Sequence, residues 1–123
     1  MRTDLTICLA NRAGTLASAC DALGRAGVNI EGLAGVVIDE RPAIHVLVSD
    51  PEHASRALID AGFELMARRQ VAVVVVDNRP GEGARLLRRV ADAGVNVDLV
   101  YTTLDGRLVL GSEDAATLND VLS

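Results

Sequence analysis

The sequence contains two copies of one pattern, and this duplication constrains the fold more than any other feature. The tetrapeptide Asn-Arg-Ala-Gly that begins at Asn11 recurs as Asn-Arg-Pro-Gly at Asn78, an offset of 67 residues. Gly27-Val28-Asn29-Ile30 recurs as Gly-Val-Asn-Val from Gly94, again at an offset of 67. Two separate tetrapeptides that share one offset are hard to obtain by chance, so the sequence predicts a duplicated structural unit.

Each copy has the pattern of a strand, a helix, a hairpin and a second helix. Apolar runs at residues 5–9 and 71–76 end at the Asn-Arg turn, and helical spacing follows. Gly27 and Gly94 stand where a helix C-cap favours a left-handed residue. The first hairpin is predicted from about Val28 through Arg41-Pro42 to Val48, and the second turns at Asp105-Gly106. The apolar stripes expected to face the core are Leu16, Cys20 and Leu23 in the first copy, and Leu87, Val90 and Ala91 in the second.

The two copies differ at their second helices. In the first copy this helix begins at Asp50-Pro51, and residues 64–68 form a closing strand. Ser49-Asp50 matches Ser112-Glu113 at an offset of 63, which indicates a loss of about four residues, and no closing strand follows the last helix. We therefore predict an α+β fold of two ferredoxin-like βαββαβ repeats, residues 1–69 and 70–123, the second lacking its final strand. Each repeat has an antiparallel sheet with helices on one face, and residues 64–76 form one long strand.

The paired phrases resemble a known family. Asn-Arg-Ala-Gly and Asn-Arg-Pro-Gly, each followed by a helix and then Ala-Gly-Val-Asn, resemble the ACT domain, and two in-register copies resemble stand-alone tandem ACT-domain proteins. Ala13 stands where the family favours Pro, and Gly83 where it favours Leu. The resemblance implies a regulatory module that binds an amino acid at a repeat or subunit interface, forms a homodimer and acts on an unidentified enzyme or regulator. Residues 11–16 would then face residues 96–98, and residues 78–83 would face residues 29–31.

A physical argument for this ligand does not need the family. The first amides of a helix and its dipole favour an anion such as a carboxylate, and glycine in the preceding turn permits close approach. Arginine adds a charge-assisted contact, an asparagine amide can donate to a carboxylate or accept from an ammonium, and the acid two residues after it suits the ammonium. We expect these landmarks to fall together at the turn end of each unit. The predicted ligand-binding residues are Asn11, Arg12, Ala13, Gly14, Thr15, Leu16, Asn29, Ile30 and Glu31, and, in the second copy, Asn78, Arg79, Pro80, Gly81, Asn96, Val97 and Asp98.

Alternatives to ligand binding remain open at this stage. The glycines are also what any tight strand–helix turn requires, and the asparagines also suit capping of backbone groups there. A module that only assembles an enzyme or regulator, without any ligand, would show the same pattern. No Ser/His/Asp set, Cys/His set, phosphate-binding loop or metal-type cluster is present, which argues against an enzyme, a cofactor and a metal site.

Composition disfavours several partners. A net charge of −5 and only two aromatic residues, Phe63 and Tyr101, argue against nucleic acid, and the arginines at 85, 88 and 89 are expected on a solvated helix face. No apolar run approaches the roughly 18–20 residues of a membrane span. Cys8 and Cys20 lack metal-type spacing and are expected to be buried, reduced thiols in a cytoplasmic protein.

Overall fold

The computed structural model describes every residue of the chain, and the chain divides into two compact units. The first unit is Thr3–Arg69, and the second is Gln70–Ser123 together with Met1–Arg2. The elements of the whole chain confirm the predicted α+β type of fold, with antiparallel strands and four helices. None of those helices combines the length and the apolar character that crossing a membrane requires.

The first unit has the strand order β2-β3-β1-β4. Thr6 of the first strand lies opposite His45, and Ala34 lies opposite the same histidine from the other side. Two helices pack on one face of this sheet. Its elements are β1 (Arg2–Cys8), α1 (Thr15–Arg25), β2 (Gly32–Ile38), β3 (Arg41–Val48), α2 (Pro51–Asp60) and the first part of β4 (Glu64–Val74).

Alternation along the strands builds the core of this unit. Successive side chains of a strand point to opposite faces, so Leu5 and Ile7 of β1 share one face with Ile44, Val46 and Val48 of β3. The inner stripes of α1 and α2 close over that face with Ala19, Leu23, Ala54 and Leu58. The helices are therefore held to the sheet by burial of apolar surface.

The second unit has the strand order β4-β6-β5. The prediction of one long strand across residues 64–76 is confirmed as far as Val74, where β4 ends two residues earlier than predicted. Ala72 of β4 lies opposite Leu110, and both belong to a core with Val90 and Leu118. The remaining elements are α3 (Glu82–Asp92), β5 (Leu99–Thr102), β6 (Leu108–Gly111) and α4 (Ala115–Leu122), and no strand follows α4.

The first hairpin turns earlier than predicted. Asp39 and Glu40 have φ values of 51° and 64°, while Arg41 and Pro42 already belong to β3. Two consecutive left-handed residues form the tight turn that suits the twist of a hairpin, and acidic residues take this conformation at some cost. The prediction of a turn through Arg41-Pro42 was therefore wrong by two residues. In the second copy, the predicted turn at Asp105-Gly106 is confirmed, with φ 85° at the glycine.

The apolar stripes of the first helices are displaced from their predicted positions. Leu16, Leu87 and Ala91 are exposed, while Leu23 and Val90 are fully buried as expected. The remaining inner positions are Ala19 in α1 and Leu86 in α3, which follow the same 67-residue offset. Because a helix turns 100° per residue, a buried stripe that lies one position away from the predicted stripe leaves the residues at the edge of the predicted stripe exposed.

The caps of the second helices correct the alignment of the copies. Asp50 accepts a hydrogen bond from the backbone N–H of His53 at 3.1 Å, and Asp114 accepts one from Thr117 at 3.2 Å. These N-caps are 64 residues apart, so the second copy is three residues shorter here, not about four. The hydrogen bonds from Thr117 hold the pKa of the Asp114 carboxyl below its usual range, since they stabilise the ionised cap.

The two cysteines are free, and no disulfide is present. Both are half-buried, which corrects the expectation that they are buried. Burial raises the pKa of the Cys20 thiol, because desolvation disfavours the thiolate. Cys8 instead lies at the end of β1, where the Arg41 guanidinium donates a hydrogen bond to its sulfur at 3.2 Å.

Candidate ligand-binding site

The loops that lead into α1 and α3 have the same backbone path. The N–H of Arg12 donates to Ala10 at 2.9 Å, and the N–H of Arg79 donates to Asp77 at the same distance. Gly14 and Gly81 have φ values of 92° and 90° and occupy the N-cap position of each helix. Neither helix has a side-chain cap. The first amides, of Thr15 and Glu82, donate to the carbonyls of Arg12 and Arg79 at 3.5 and 3.3 Å, so the next two amides of each helix are the ones that remain available to a ligand.

Different side chains hold the two loops in this shape. In the first unit the hydroxyl of Thr15 donates to the carbonyls of Ala10 and Arg12, at 2.7 and 3.1 Å. In the second unit the equivalent position is Glu82, and the loop is held by ion pairs of Arg79. The first loop therefore contains a cation, Arg12, that has no ion pair, whereas the equivalent Arg79 of the second loop is paired with Asp77 and Glu82.

A cleft of about 530 Å³ opens beside the first of these loops. Its wall is formed by residues of three segments that meet at one end of the sheet: the β1–α1 loop, the β2–β3 turn and the start of β4. The lining residues are Cys8, Leu9, Ala10, Asn11, Arg12, Thr15, Glu40, Arg41, Gly62, Phe63 and Glu64.

The cleft presents charges of both signs. Arg41 is engaged, because it donates to the Cys8 sulfur and pairs with Glu64 at 3.8 Å. The hydrogen bond to Cys8, with the nearby Glu64 carboxylate, raises the pKa of Arg41 above its usual range. Arg12 and Glu40 make no ion pair or side-chain hydrogen bond in the protein, so one cation and one carboxylate remain for a ligand.

Only part of the predicted site lies at this cleft. Asn11, Arg12 and Thr15 line it, and Ala13 and Gly14 line a second depression of about 380 Å³ on the same loop. Leu16 is exposed on the first turn of α1 and lines neither depression.

The second group of predicted residues lies at the other end of each unit. Asn29, Ile30 and Glu31 precede Gly32, which lies opposite Leu47, whereas the loop follows Cys8, which lies opposite Ala43. Helix α1 runs the length of the unit between these groups, about 16 Å for its eleven residues. The expectation that the glycines of the strand–helix turns and the asparagines that follow the helices lie together at one end of each unit was therefore wrong. Asn96, Val97 and Asp98 occupy the equivalent place before β5.

The predicted asparagines do not serve as caps. The side chains of Asn11, Asn29, Asn78 and Asn96 make no hydrogen bond within the protein, and all four are exposed. The helix ends are satisfied instead by the backbone, since Gly27 and Gly94 adopt φ 76° and Val28 and Val95 donate to Leu23 and Val90. This excludes the reading in which the asparagines only cap backbone groups.

The second unit has a smaller cleft at its own loop, of about 220 Å³. Every charged residue that lines it is engaged in the protein. Arg85 pairs with Glu82 at 3.5 Å, and Arg89 donates to the carbonyl of Val121 at 2.8 Å. Asp77 accepts from Arg79 at 3.1 Å. Asn78, Pro80 and Gly81 are exposed and lie outside this lining.

The comparison with family models decides what this duplicated fold is. The family described as the ACT domain pair matches residues 2–122, almost the whole chain. The chain belongs to the ACT domain pair family. Such pairs are regulatory modules, and the resemblance predicted from the two Asn-Arg turns is confirmed. A search of the curated proteins found no match to this sequence.

Solved structures share the fold of this ACT domain pair. A protein from Bacteroides thetaiotaomicron is similar with a TM-score of 0.87 and 24% identity, covering 98% of this chain and 85% of that one. The regulatory subunit of aspartate kinase from Thermus thermophilus is similar with a TM-score of 0.72 and 21% identity, covering 98% and 89%. The corresponding subunit from Thermus flavus has a TM-score of 0.67 and 19% identity, covering 98% and 90%. At these identities the likeness shows the fold.

Several cleft residues of the ACT domain pair were not predicted from the sequence. Glu40, Arg41 and Glu64 come from segments that are distant along the chain and meet only through the strand order. A signal for them exists in that order, because the end of β1 must adjoin the start of β3 in an antiparallel pair. The misplaced hairpin turn hid it, since it removed Arg41 from the strand.

Two glycines of α1 and its loop provide a matched pair of variants for this ACT domain pair. Gly14→Ala should lower the free energy of unfolding by about 1–2 kcal/mol, because alanine is strained in the left-handed region even though open space surrounds the added carbon. Gly24→Ala, inside the helix and also facing open space, should raise it by about 0.5–1 kcal/mol. Urea unfolding measures both, and equal effects of the two substitutions would contradict the loop geometry.

Proposed function

We propose that this ACT domain pair is a cytoplasmic, non-catalytic regulatory module that binds an amino acid in the first unit's cleft. The observation that carries the proposal is the presence of Arg12 and Glu40, oppositely charged and both without an ion pair, on one cleft of about 530 Å³. Ligand pockets span roughly 300–1,000 Å³, so the volume suits a small metabolite.

The carboxylate of the ligand would bind at the start of α1. The first turn of this helix contains no acidic residue, and its N-cap is a glycine. The amides of Leu16 and Ala17 and the helix dipole therefore attract an anion, and Arg12 adds a guanidinium that can form charge-assisted hydrogen bonds. Asn11 supplies an amide that can donate to the same carboxylate.

The ammonium of the ligand would bind at the β2–β3 turn. Glu40 lies in that turn and lines the cleft, while Glu64 lines it from the start of β4. Because Glu64 is paired with Arg41, the unpaired Arg12 guanidinium and the unpaired Glu40 carboxylate remain, and one charge of each sign suits a zwitterion better than a simple anion. Binding would join three segments of the unit, which is how a ligand alters the stability of a regulatory domain.

A thermal-shift scan against the twenty amino acids tests the proposal. At millimolar concentration, at least one should raise the melting temperature, because ligand that binds only the folded state stabilises it by mass action. The N-acetyl and carboxamide derivatives of that amino acid should each lose the shift, since each lacks one charged end. No shift with any of the twenty would contradict ligand binding.

A second candidate function is ligand-independent assembly. It is favoured by β2, which stands at one end of the strand order and exposes Val36, Val37 and Ile38 by 50%, 54% and 61%. Edge strands normally carry charges or proline, and the sequence Gly-Leu-Ala-Gly-Val-Val-Ile has neither. We propose that this edge contributes to a homodimer, and light scattering across a dilution series would detect its dissociation.

The prediction that residues 11–16 face residues 96–98, and residues 78–83 face residues 29–31, concerns placement across repeats or subunits. It stays a prediction. The cleft proposed here is formed by one unit alone.

A further inference from the structure

We infer that the two loops of the pair are unequal, and that Asp77 and Glu82 keep the second loop from binding the carboxylate that the first loop accepts. The inference rests on the proposed function and specifies which copy performs it. The two loops share a backbone path but differ in charge.

The backbone geometry is closely matched between the loops. The hydrogen bond from Ser18 to Gly14 measures 2.9 Å, and the equivalent bond from Arg85 to Gly81 measures 3.0 Å. The N-cap glycines differ by 2° in φ. Any difference in anion binding must therefore come from side chains.

Two positions carry that difference. Asp77 and Glu82 of the second loop replace Ala10 and Thr15 of the first, at the 67-residue offset. Both carboxylates contact Arg79, at 3.1 and 3.5 Å, and Glu82 is also 3.5 Å from Arg85. The second loop thus contains two acids and two bases that satisfy one another, and an incoming carboxylate would have to displace one of them.

Glu82 acts on the helix as well. It lies in the first turn of α3, and its side chain is only 21% exposed. A carboxylate at this position neutralises the positive end of a helix dipole, and α1 has no such residue. The amides at the start of α3 are therefore less attractive to an anion than those at the start of α1.

Backbone amide NMR resolves the two loops separately. The probe is glycine, the smallest zwitterionic amino acid, titrated against a sodium chloride control of equal ionic strength. In the wild type, amide shifts at residues 12–16 should reach their midpoint at a concentration roughly 2- to 30-fold lower than those at residues 79 and 81–83. In Asp77→Ala with Glu82→Thr, which copies the first loop, the two midpoints should coincide.

A control variant removes two carboxylates of the same unit away from the loop. Asp92→Ala with Asp120→Ala changes the net charge equally, and neither residue lines the second cleft. It should leave the difference between loops unchanged. Equal midpoints in the wild type, or a difference that survives Asp77→Ala with Glu82→Thr, would overturn the inference while leaving the proposed function intact. No shift at either loop in any protein would overturn the inference, whereas the proposed function falls only if none of the twenty amino acids raises the melting temperature.

Discussion

Replacing His45 with leucine should lower the free energy of unfolding by about 1–3 kcal/mol, which is a large part of the stability of a small domain. The Asp4 carboxylate is fully buried on β1, and Nδ1 of His45 lies 2.9 Å from it. Thr6 also donates to this carboxylate, at 3.3 Å. Leucine cannot hydrogen-bond, so Asp4 would lose one of its buried partners. Urea unfolding measures this loss of stability, provided that the m-value of the variant equals that of the wild type.

A double-mutant cycle separates this pair from general effects on packing. Asp4→Leu alone and His45→Leu alone should each destabilise, while the double variant should lose less than the two combined, by about 0.5–3 kcal/mol. The reason is that replacing both members of a buried polar pair leaves no group unsatisfied between them. Strictly additive losses would show that the contact between Asp4 and His45 contributes nothing of its own.

Replacing Arg12 with glutamine should weaken amino-acid binding by about tenfold. Glutamine keeps a polar side chain of similar length but removes the charge that pairs with the ligand's carboxylate. Arg12 is exposed and makes no ion pair in the protein, so its loss should leave the stability of the ligand-free protein nearly unchanged. Calorimetric titration with the amino acid that gives the largest thermal shift measures the change.

Two matched variants control for the loss of a positive charge. One variant is Arg56→Gln, because Arg56 lies on α2 and does not line the cleft. The other is Arg79→Gln, which removes the equivalent arginine of the second loop. Neither should change the affinity of the stronger site by more than about twofold. An Arg12→Gln variant that binds as well as Arg56→Gln would remove the first loop from the ligand site.

Much of the fold could be predicted from the sequence, because each repeated element appears in two copies and its position in one copy supports its position in the other. The shared offset of 67 located both strand–helix turns, and the left-handed glycines at positions 14, 27, 81 and 94 are all present in the structure. The continuous strand through Val74 followed from the absence of glycine or proline between the copies. The exact inner stripe of α1 did not follow, because Leu16 and Ala19 both continue a helical spacing to Leu23.

The site was less accessible, for a physical reason. Local sequence predicts what a turn requires, and so Asn11, Arg12 and Gly14 were found. Glu40 and Glu64 reach the cleft only because β3 and β4 both lie beside β1, and that proximity depends on strand order rather than on any motif. Asp77 and Glu82 are evident as acidic residues in the sequence, but their ion pairs with Arg79 could be recognised only from the geometry of the loop.

Alkylation of Cys8 tests most directly whether an amino acid occupies the first cleft, because this thiol lines it. The measurement uses a Cys20→Ser background, iodoacetamide, and a mixture of the nineteen amino acids other than cysteine. The mixture should slow modification of Cys8 severalfold, while modification of Cys20 in a Cys8→Ser background should be unaffected, since Cys20 does not line the cleft. Unchanged alkylation of Cys8 under conditions that raise the melting temperature would place the ligand elsewhere and contradict the proposed site.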